Sequence, residues 1–269
     1  MVTQTDPRDL RLELELALEI ADAADAFTLP HFIACDFTVD WKQNQTEVTE
    51  IDRDTESLIV EMLRAARPEH GIFGEEHGLA GNTESPWRWV IDPIDGTSGF
   101  VRGIPIWATL IALTHTELGA VLGVVSAPAL GRRWWGGRSL GAHVAALGST
   151  RELRVSTVSE LSEAQVCITH SSGWDQLGLT GPLIRLQQQA RRSRGVGDFW
   201  QHMLVAEGAM EIAVDAVGVS PYDIAALQPI VEAAGGILTD RHGEATHEHD
   251  TAISSNGKLH NLALAALQQ

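Results

Sequence analysis

The sequence predicts an α+β fold in which layers of helix and sheet alternate. Two helical segments come first, a run of short apolar segments separated by turns follows, and helices and strands mix in the remainder. Hydrophobic residues make up 44% of the 269 residues, which is ample for a buried core. We therefore expect helices, sheet, helices, sheet and helices in that order.

The first segment is ambiguous in its period. Leucines alternate with polar residues over 10–18, as in a strand, but the segment is built from Leu, Glu and Ala and continues at helical spacing. Asp6 before Pro7 supplies a helix cap and a first-turn proline, so we predict one long helix. Residues 55–67 carry one apolar stripe and stop at Pro68, which predicts a second helix.

Short segments typical of strands occupy the middle of the chain. Turn residues such as Gly119 and Pro128 separate them, so we predict a meander of mostly antiparallel strands. The predicted strands are residues 89–91, 107–113, 121–125 and 132–135.

Helices and strands alternate in the second half. Pro229 lies inside a predicted helix and indicates a kink or an early break there. We expect one domain with two lobes, residues 1–150 and 151–269, that divide near residues 148–151. The predicted strands are residues 166–169, 210–214 and 237–239, and the predicted helices are 183–190, 199–208, 224–234 and a last one from about 260.

Charge and composition exclude several classes of function. The 36 Asp and Glu outnumber the 19 Lys and Arg, and the net charge of −17 argues against a nucleic-acid or anionic-membrane partner. Two distant cysteines, Cys35 and Cys167, cannot build a disulfide framework or a zinc cage. Because no apolar run approaches about 18 residues and the first residues do not resemble a signal peptide, we expect a cytoplasmic protein.

The most informative motif is an apolar strand that runs into Asp92-Pro-Ile-Asp95-Gly-Thr-Ser. Two carboxylates held this close repel each other unless a cation or a proton lies between them. Mg²⁺ prefers oxygen ligands, and residues 96–98 offer backbone N–H groups and hydroxyls to an anion. The motif indicates phosphate chemistry at a metal, although on its own it is equally typical of a plain turn.

Other carboxylates follow apolar segments elsewhere. Glu75 and Glu76 come directly after the short stretch 71–73, and Asp223 comes at the start of a predicted helix, where the dipole favours a carboxylate. Each has a simpler interpretation, because the glutamates can be surface charge and Asp223 an ordinary helix cap.

Together, three motifs resemble the signatures of the inositol monophosphatase family: Gly74-Glu75-Glu76, Asp92-Pro-Ile-Asp95-Gly-Thr97, and Tyr222-Asp223 followed by Glu232-Ala-Ala-Gly-Gly. The similarity runs from about Leu14 to the last helix. It implies a layered αβαβα sandwich and a lithium-sensitive phosphomonoesterase with two or three Mg²⁺ ions per site. It also implies a homodimer, and hydrolysis by water that is activated at the metal.

The resemblance assigns roles position by position. The pair of Thr97 and Asp52, together with Glu75, is implied to position and deprotonate the attacking water. The implied metal ligands are Glu75, Asp92, the carbonyl of Ile94, Asp95 and Asp223. The implied phosphate-binding residues are Asp95, Gly96, Thr97 and Ser98.

Three positions depart from the family pattern. Tyr222 replaces the usual Trp, Gly99 replaces the usual Asn, and Asn44 replaces a common acid that follows Lys42. None of these changes removes an implied metal ligand, so we expect activity to be retained. The changes at residues 99 and 222 affect loop geometry and substrate fit.

Within the family, the chain resembles the histidinol-phosphate phosphatase branch found in actinobacteria, through residues 102–113, 124–135 and 197–199. Histidinol phosphate carries an ammonium and an imidazole, with which a buried Asp198 or Asp215 can pair, while Arg194 can reach the phosphate. Asp198 is equally typical of a helix cap. The alternatives are an inositol-1-phosphate or broad sugar-phosphate monophosphatase, and an inactive regulatory module that binds metal or a phosphorylated metabolite.

Overall fold

The structure is a computed structural model that describes residues 10–42 and 45–267. Single 3₁₀ turns lie at Pro128–Leu130 and Leu161–Glu163. The helices are α1 (Leu10–Ala34), α2 (Glu50–Ala66), α3 (Thr97–Val101), α4 (Ser172–Gln176), α5 (Thr180–Gln189), α6 (Asp198–Ala206), α7 (Pro221–Ile224), α8 (Leu227–Ala233) and α9 (His260–Ala266).

The strands form a hairpin and two sheets. The hairpin pairs β1 (Val39–Trp41) with β2 (Glu47–Thr49). The larger sheet contains β3 (Gly71–Gly74), β4 (Gly78–Gly81), β5 (Trp87–Asp95), β6 (Ala108–His115), β7 (Gly119–Ala127), β8 (Arg132–Gly137), β9 (Gly141–Ala146) and β10 (Ser149–Glu152), in the spatial order β10-β9-β8-β7-β6-β5-β3-β4. The smaller sheet contains β11 (Gln165–Ile168), β12 (Arg192–Arg194), β13 (Ile212–Val214), β14 (Ile237–Thr239) and β15 (Ile253–Ser255), in the order β12-β11-β13-β15-β14.

These elements stack in five layers, which confirms the predicted α+β sandwich. Helices α1 and α2 pack on one face of the larger sheet, α6, α7 and α8 lie between the sheets, and α5 and α9 pack on the smaller sheet. Three separate buried apolar clusters lie between the layers, and they contain Trp134, Trp89 and Trp174 respectively. The sandwich therefore has several cores rather than one.

Burial resolves the ambiguous first segment in favour of a helix. Ala17, Ile20 and Ala24 are buried at helical spacing, whereas Leu12, which belongs to the leucine alternation, is exposed. The predicted cap at residues 6–7 lies outside the described residues. Packing against the sheet, not the alternation, therefore determines the structure of this segment.

The second helix begins at Glu50, so the predicted start at residue 55 was wrong. Thr49 and Asp52 form a capping box, in which Thr49 N–H donates to Asp52 Oδ2 at 2.8 Å. An apolar stripe does not include this polar first turn. The helix ends at Ala66, in agreement with the predicted stop before proline.

The segment 224–234 forms parts of two helices rather than one. Ala225 and Ala226 separate α7 from α8, although both keep helical backbone angles. Pro229 lies in the first turn of α8, where its missing N–H removes no hydrogen bond. The break therefore occurs before the proline.

The predicted meander is present, since β5 to β10 pair antiparallel in chain order. Sequence alternation did not predict β1, β2, β4, β9 or β10, which are short and contain glycine or polar residues. β10 lies at the predicted division between the lobes and is still part of the larger sheet. The division into two lobes stays a prediction.

Among the helices described over residues 10–42 and 45–267, none is both long enough and apolar enough to span a bilayer.

Candidate functional site

Two neighbouring strands end at the same edge of the larger sheet and bring their carboxylates together. β3 runs parallel to β5 with Gly74 opposite Ile91, so Glu75 and Asp92 follow paired positions. Glu75 N–H donates to the Ile91 carbonyl at 3.2 Å. The pairing of β5 with β6 is irregular between Asp92 and Asp95, and such an irregularity redirects side chains at a strand end.

Asp223 joins this edge from the helical layer between the sheets. It lies in α7, which contacts β5, and it accepts the N–H of Ser220 through Oδ2 at 2.6 Å as part of a capping box. One oxygen from each of Asp92, Asp95 and Asp223 lies within 4.8 Å of the other two. Three of the predicted metal ligands thus converge from distant parts of the chain.

Keeping the carboxyl groups of Asp92, Asp95 and Asp223 ionised costs free energy. Burial raises the pKa of Asp92 well above its usual value, and Glu75, Asp95 and Asp223 raise it further. Burial also raises the pKa of Asp95, and the negative charges of Asp198 and Asp223 raise it further. Burial raises the pKa of Asp223 to about 7, again with a contribution from Glu75. Lost hydration and mutual repulsion therefore favour a counter-charge at this cluster.

Lys42 supplies positive charge at one side of the cluster. Its Nζ lies 2.7 Å from Glu75 Oε1 and 2.6 Å from Glu76 Oε1. Although burial acts to lower the pKa of Lys42, the two glutamates raise it, so the ammonium stays charged. The fully buried Glu56 accepts the N–H groups of Glu76 and His77, each at 2.8 Å, and thereby fixes the turn after β3.

Thr97 and Asp52 lie beside the cluster as a hydrogen-bonded pair. Thr97 Oγ1 is 3.0 Å from Asp52 Oδ1 and 3.0 Å from the carbonyl oxygen of Ile94. Burial raises the pKa of Asp52, whose other oxygen caps α2. The next residue, Ser98, is exposed, and its Oγ accepts a hydrogen bond from Arg102 at 2.7 Å. Asp52 is therefore both a helix cap and a partner of Thr97.

The chain turns sharply at Gly96, between β5 and α3. Its φ is +87°, and a Cβ there would lie 2.9 Å from the Ile106 carbonyl oxygen and 3.4 Å from Asp198 Oδ2, so the turn requires glycine. The N–H of Phe199 donates to Asp95 Oδ2 at 2.8 Å. The start of α6 is thus tied directly to the carboxylate cluster.

Asp198 is exposed, whereas the sequence analysis expected a buried aspartate that pairs with the substrate. The residue is exposed overall, so the prediction of a buried aspartate was wrong, although its carboxyl group packs against Gly96. Gly197, not Asp198, occupies the cap position of α6, and Asp198 has a φ of +49°. Loss of hydration at the carboxyl group, with the charge of Asp215, raises the pKa of Asp198 to about 6.

The other two predicted substrate residues lie in different surroundings. Asp215 is buried, and its Oδ2 lies 3.1 Å from Nε2 of the buried His202. Arg194 is exposed on the edge strand β12, and its Nη1 donates to the Ser193 carbonyl at 2.9 Å. A role of Asp215 or Arg194 in substrate binding stays a prediction.

The donor set fits a hard divalent cation. Asp92, Asp95 and Asp223 offer only carboxylate oxygens, with Glu75 alongside, and such ligands suit Mg²⁺ or Ca²⁺ better than soft metals. Within residues 10–42 and 45–267, no ion pair joins any of the three aspartates to a basic side chain. The cluster is therefore able to hold metal.

Metal removal is expected to change how stability depends on pH. In EDTA, the folded protein binds a proton at Asp223 near pH 7, whereas the unfolded chain binds it only near pH 3.8, so stability rises as the pH falls through 7. The slope is up to about 1.4 kcal/mol per pH unit for one proton. Thermal unfolding between pH 7.5 and 5.5, once with EDTA and once with saturating Mg²⁺, measures this dependence of stability on pH.

The Asp223→Asn variant is the control: its stability in EDTA should rise less on acidification than that of the parent, because it lacks this proton-binding group while Asp92 and Asp95 keep theirs. If the parent in EDTA gains no more stability on acidification than this variant does, the raised pKa of Asp223 is contradicted.

Sequence reasoning did not assign roles to Lys42, Glu56 or His202. Glu56 follows Asp52 by one helical turn and therefore shares its helix face, which was an available signal. Lys42 and His202 reach the site through tertiary packing, for which the sequence carries no local pattern.

The departures from the family pattern have local structural explanations. The ring of Tyr222 packs 6.1 Å from that of Phe73, at the end of β3. At Gly99, a Cβ would lie 2.9 Å from the Ile106 carbonyl oxygen, so glycine permits a close approach of the following loop. Asn44 lies outside the described residues.

The carboxylate cluster beside the Gly96 turn gives this layered fold a candidate site for metal-assisted hydrolysis. The chain belongs to the inositol monophosphatase family, whose sequence model matches residues 11–269.

Comparisons with individual proteins agree with this membership. The chain is 44% identical to a histidinol-phosphatase of Streptomyces coelicolor over 96% of its length and 97% of the relative. It is also 44% identical to a histidinol-phosphatase of Mycobacterium tuberculosis, over 95% of this chain and 97% of the relative. Among solved structures, a Thermotoga maritima IMPase matches with a TM-score of 0.83 and 28% identity, over 96% of both chains. These comparisons support a phosphatase.

Proposed function

We propose that the chain is a Mg²⁺-dependent phosphatase that hydrolyses L-histidinol phosphate to L-histidinol and inorganic phosphate. The convergence of Asp92, Asp95 and Asp223, with oxygens within 4.8 Å of one another, carries the phosphatase chemistry. Similarity to histidinol-phosphatases over nearly the whole chain supports the substrate. Inositol-1-phosphate or a range of sugar phosphates is the alternative substrate class, supported by the likeness to inositol monophosphatases.

The metal ligands in this proposal come from three segments: the turn after β3, the end of β5, and α7. The residues that would hold two or three Mg²⁺ ions are Glu75, Asp92, Asp95, Asp223 and the carbonyl of Ile94. When bound, the ions neutralise negative charge on the phosphate and lower the pKa of a water molecule. Because the carboxylates are held by strand pairing and by a helix cap, little reorganisation accompanies binding.

Thr97 and Asp52 prepare the attacking water. The Thr97 hydroxyl donates a hydrogen bond to Asp52 Oδ1, which leaves a lone pair of Oγ1 free to accept a hydrogen bond from the water. Burial raises the pKa of Asp52, so this carboxylate is a stronger proton acceptor than an exposed one. Glu75 is the second acceptor beside the water. The backbone N–H groups of residues 96–98 orient the phosphate with Asp95.

Negative charge near the carboxylate cluster favours a substrate with a positive group. Loss of hydration raises the pKa of Asp198, and repulsion by the charge of Asp215 raises it further. The ammonium or imidazolium of histidinol phosphate relieves this repulsion, whereas inositol offers only hydroxyls. In this proposal Arg194 lies at the rim and contacts the phosphate.

A side-by-side assay tests the substrate. With Mg²⁺ present, kcat/KM for phosphate release from L-histidinol phosphate should exceed that from inositol-1-phosphate by about tenfold or more, because ionic contacts contribute about 1.5–3 kcal/mol. Equal or lower efficiency with histidinol phosphate supports the broad monophosphatase instead. Mg²⁺ binding without hydrolysis of either substrate indicates the inactive binding module.

Two neutral variants refine this test. Asp198→Asn and Asp215→Asn should lower kcat/KM for histidinol phosphate by about 10–100-fold, with a much smaller effect on inositol-1-phosphate. Asparagine tolerates the positive φ of residue 198, so the turn is kept. Asp175→Asn, at an exposed acid in α4, is the matched control and should leave both efficiencies unchanged.

The cellular role follows from the proposed reaction. We propose that the protein acts in the cytoplasm in histidine biosynthesis, as a homodimer whose subunits have two lobes dividing near residue 150. Complementation of a histidine auxotroph that lacks histidinol phosphatase tests the role. Light scattering of the purified chain tests the dimer.

A further inference from the structure

His202, in the middle of α6, is fully buried and has a polar partner at each ring nitrogen. Its Nδ1 lies 2.8 Å from Oγ of Ser254, which is also fully buried, in β15. Its Nε2 lies 3.1 Å from Oδ2 of Asp215, the residue that follows β13. The three side chains therefore form one chain of hydrogen bonds that ends at Asp215.

Serine, histidine and aspartate follow one another in this chain as they do in a hydrolytic triad. A nucleophile has to be reached by the substrate, however, and Ser254 is 0% exposed. Asp215, at the other end, keeps some exposed surface, since its side chain is 8% exposed. The chain therefore does not supply a nucleophile, and its effect on the site is exerted through the carboxylate of Asp215.

The donors and acceptors in this chain are fixed by what each atom can do. An ionised carboxylate only accepts hydrogen bonds, so Nε2 has to carry a proton to bind Asp215. The Ser254 hydroxyl donates to Nδ1 when the ring is neutral and accepts from Nδ1 when the ring is charged. In both forms Nε2–H donates to Oδ2 of Asp215. Asp215 thus selects the proton on Nε2, and Ser254 satisfies the other nitrogen.

The ring is also what ties the carboxyl group of Asp215 to helix α6. Within the part of the chain that the structure describes, this carboxyl group accepts one other hydrogen bond, from the N–H of the adjacent Ala216 at 2.8 Å. Earlier in the same helix, Phe199 N–H donates to Oδ2 of Asp95 at 2.8 Å. One helix therefore holds a carboxylate of the metal cluster and the carboxylate of Asp215 in a fixed relation.

The negative charge of Asp215 acts on the carboxylate cluster. Burial is the main cause of the raised pKa of three carboxyl groups in the site, and the charge of Asp215 raises the pKa of each of them further. These groups are Asp95, Asp198 and Asp223. A charge that affects these three groups also affects a cation that binds beside them.

We propose that His202 is the positioning residue for Asp215: by donating from Nε2 to Oδ2, it holds this carboxylate where its charge attracts the cationic end of the substrate. The inference rests on the proposed function, in which Asp215 pairs with the ammonium or imidazolium of histidinol phosphate. Inositol-1-phosphate has no cationic group and does not benefit from this charge. Loss of the ring should therefore reduce the preference for histidinol phosphate rather than hydrolysis itself.

Steady-state kinetics of variants at His202 and Ser254 test the proposal. With L-histidinol phosphate, His202→Leu should raise KM about tenfold or more and change kcat by less than about threefold, because a hydrogen bond to a charged group is lost. With inositol-1-phosphate, both constants should change by less than about threefold. His202→Gln keeps an amide donor for Asp215 and should retain the parental KM. Ser254→Ala leaves Nδ1 without this partner and should raise KM about threefold.

His260 supplies the matched control, because it is also buried and its ring nitrogens lie 2.9 Å from Thr239 Oγ1 and 3.0 Å from Ser255 Oγ. His260→Leu should lower Tm as His202→Leu does, but it should leave the ratio of kcat/KM for the two substrates unchanged. A double-mutant cycle isolates the pair, since in the Asp215→Asn background His202→Leu should cause no further loss of preference.

The proposal is overturned if His202→Leu lowers kcat/KM for both substrates equally, or if its effect persists in full beside Asp215→Asn. It is likewise overturned if His202→Gln loses the preference as completely as His202→Leu. If His202→Leu does not fold, a parental KM for Ser254→Ala overturns the proposal in its place. These outcomes leave the proposed function intact, because the parent still prefers L-histidinol phosphate. A parent without that preference contradicts the proposed function itself and this inference with it.

Discussion

Replacing Asp95 with asparagine is expected to lower phosphate release from L-histidinol phosphate by more than about 100-fold and to weaken Mg²⁺ binding. Loss of a residue that only orients a metal ligand costs about 10–100-fold, and Asp95 is proposed as a ligand itself. Its carboxyl oxygen lies within 4.8 Å of oxygens of Asp92 and Asp223. Asparagine keeps an oxygen that can accept the Phe199 N–H, so α6 should begin as before.

The measurement is phosphate release as a function of Mg²⁺ concentration, with Mg²⁺ affinity from calorimetry. Asp22→Asn is the matched control, because Asp22 is an exposed acid that pairs with Arg133 outside the cluster. This control should retain parental activity. In EDTA, Asp95→Asn should unfold at a higher temperature than the parent, since burial disfavours the charge that it removes. A variant as active as the parent would falsify the proposed metal site.

Much of the fold was predictable because burial is periodic. The apolar stripe of α2 and the antiparallel strands β5 to β8 each leave a local pattern that matches their packing. Helix starts were less predictable, because a polar capping box such as that of Thr49 and Asp52 carries no apolar signal. The break between α7 and α8 could not be predicted either, because Ala225 and Ala226 are strong helix formers.

The candidate site was predictable only through its motifs. Periodicity places Asp92 and Asp95 at a strand end, but it does not reveal that β3 is parallel to β5, which brings Glu75 beside Asp92. The contact of Lys42 with Glu75 depends on the hairpin that precedes α2, and β1 and β2 were not predicted. Asp198 is exposed and has a left-handed backbone, and the sequence indicated neither property.

Gly123 sets the distance between the larger sheet and the helices that carry Asp223. A Cβ at Gly123, in β7, would lie 1.9 Å from the carbonyl oxygen of Ala226, which joins α7 to α8. Gly136, its partner on β8, also lies close to α8 but less tightly, since a Cβ there would lie 3.1 Å from Ile230 Cα. Glycine in a strand marks such a close approach of another backbone.

Gly123→Ala is therefore expected to destabilise the protein by about 3 kcal/mol or more, because the obstructing atom is backbone and cannot rotate away. This loss corresponds to a fall of about 6–12 °C in Tm. Displacing Ala226 also moves Asp223, three residues earlier, so the folded variant should bind Mg²⁺ more weakly. Gly181→Ala, in helix α5, is the control and should not lower Tm, because a Cβ there would meet only the end of the Arg185 side chain, at an ordinary contact distance of 3.5 Å. If Gly123→Ala keeps both the Tm and the Mg²⁺ affinity of the parent, α7 can shift without loss, and the carboxylates do not require this close packing.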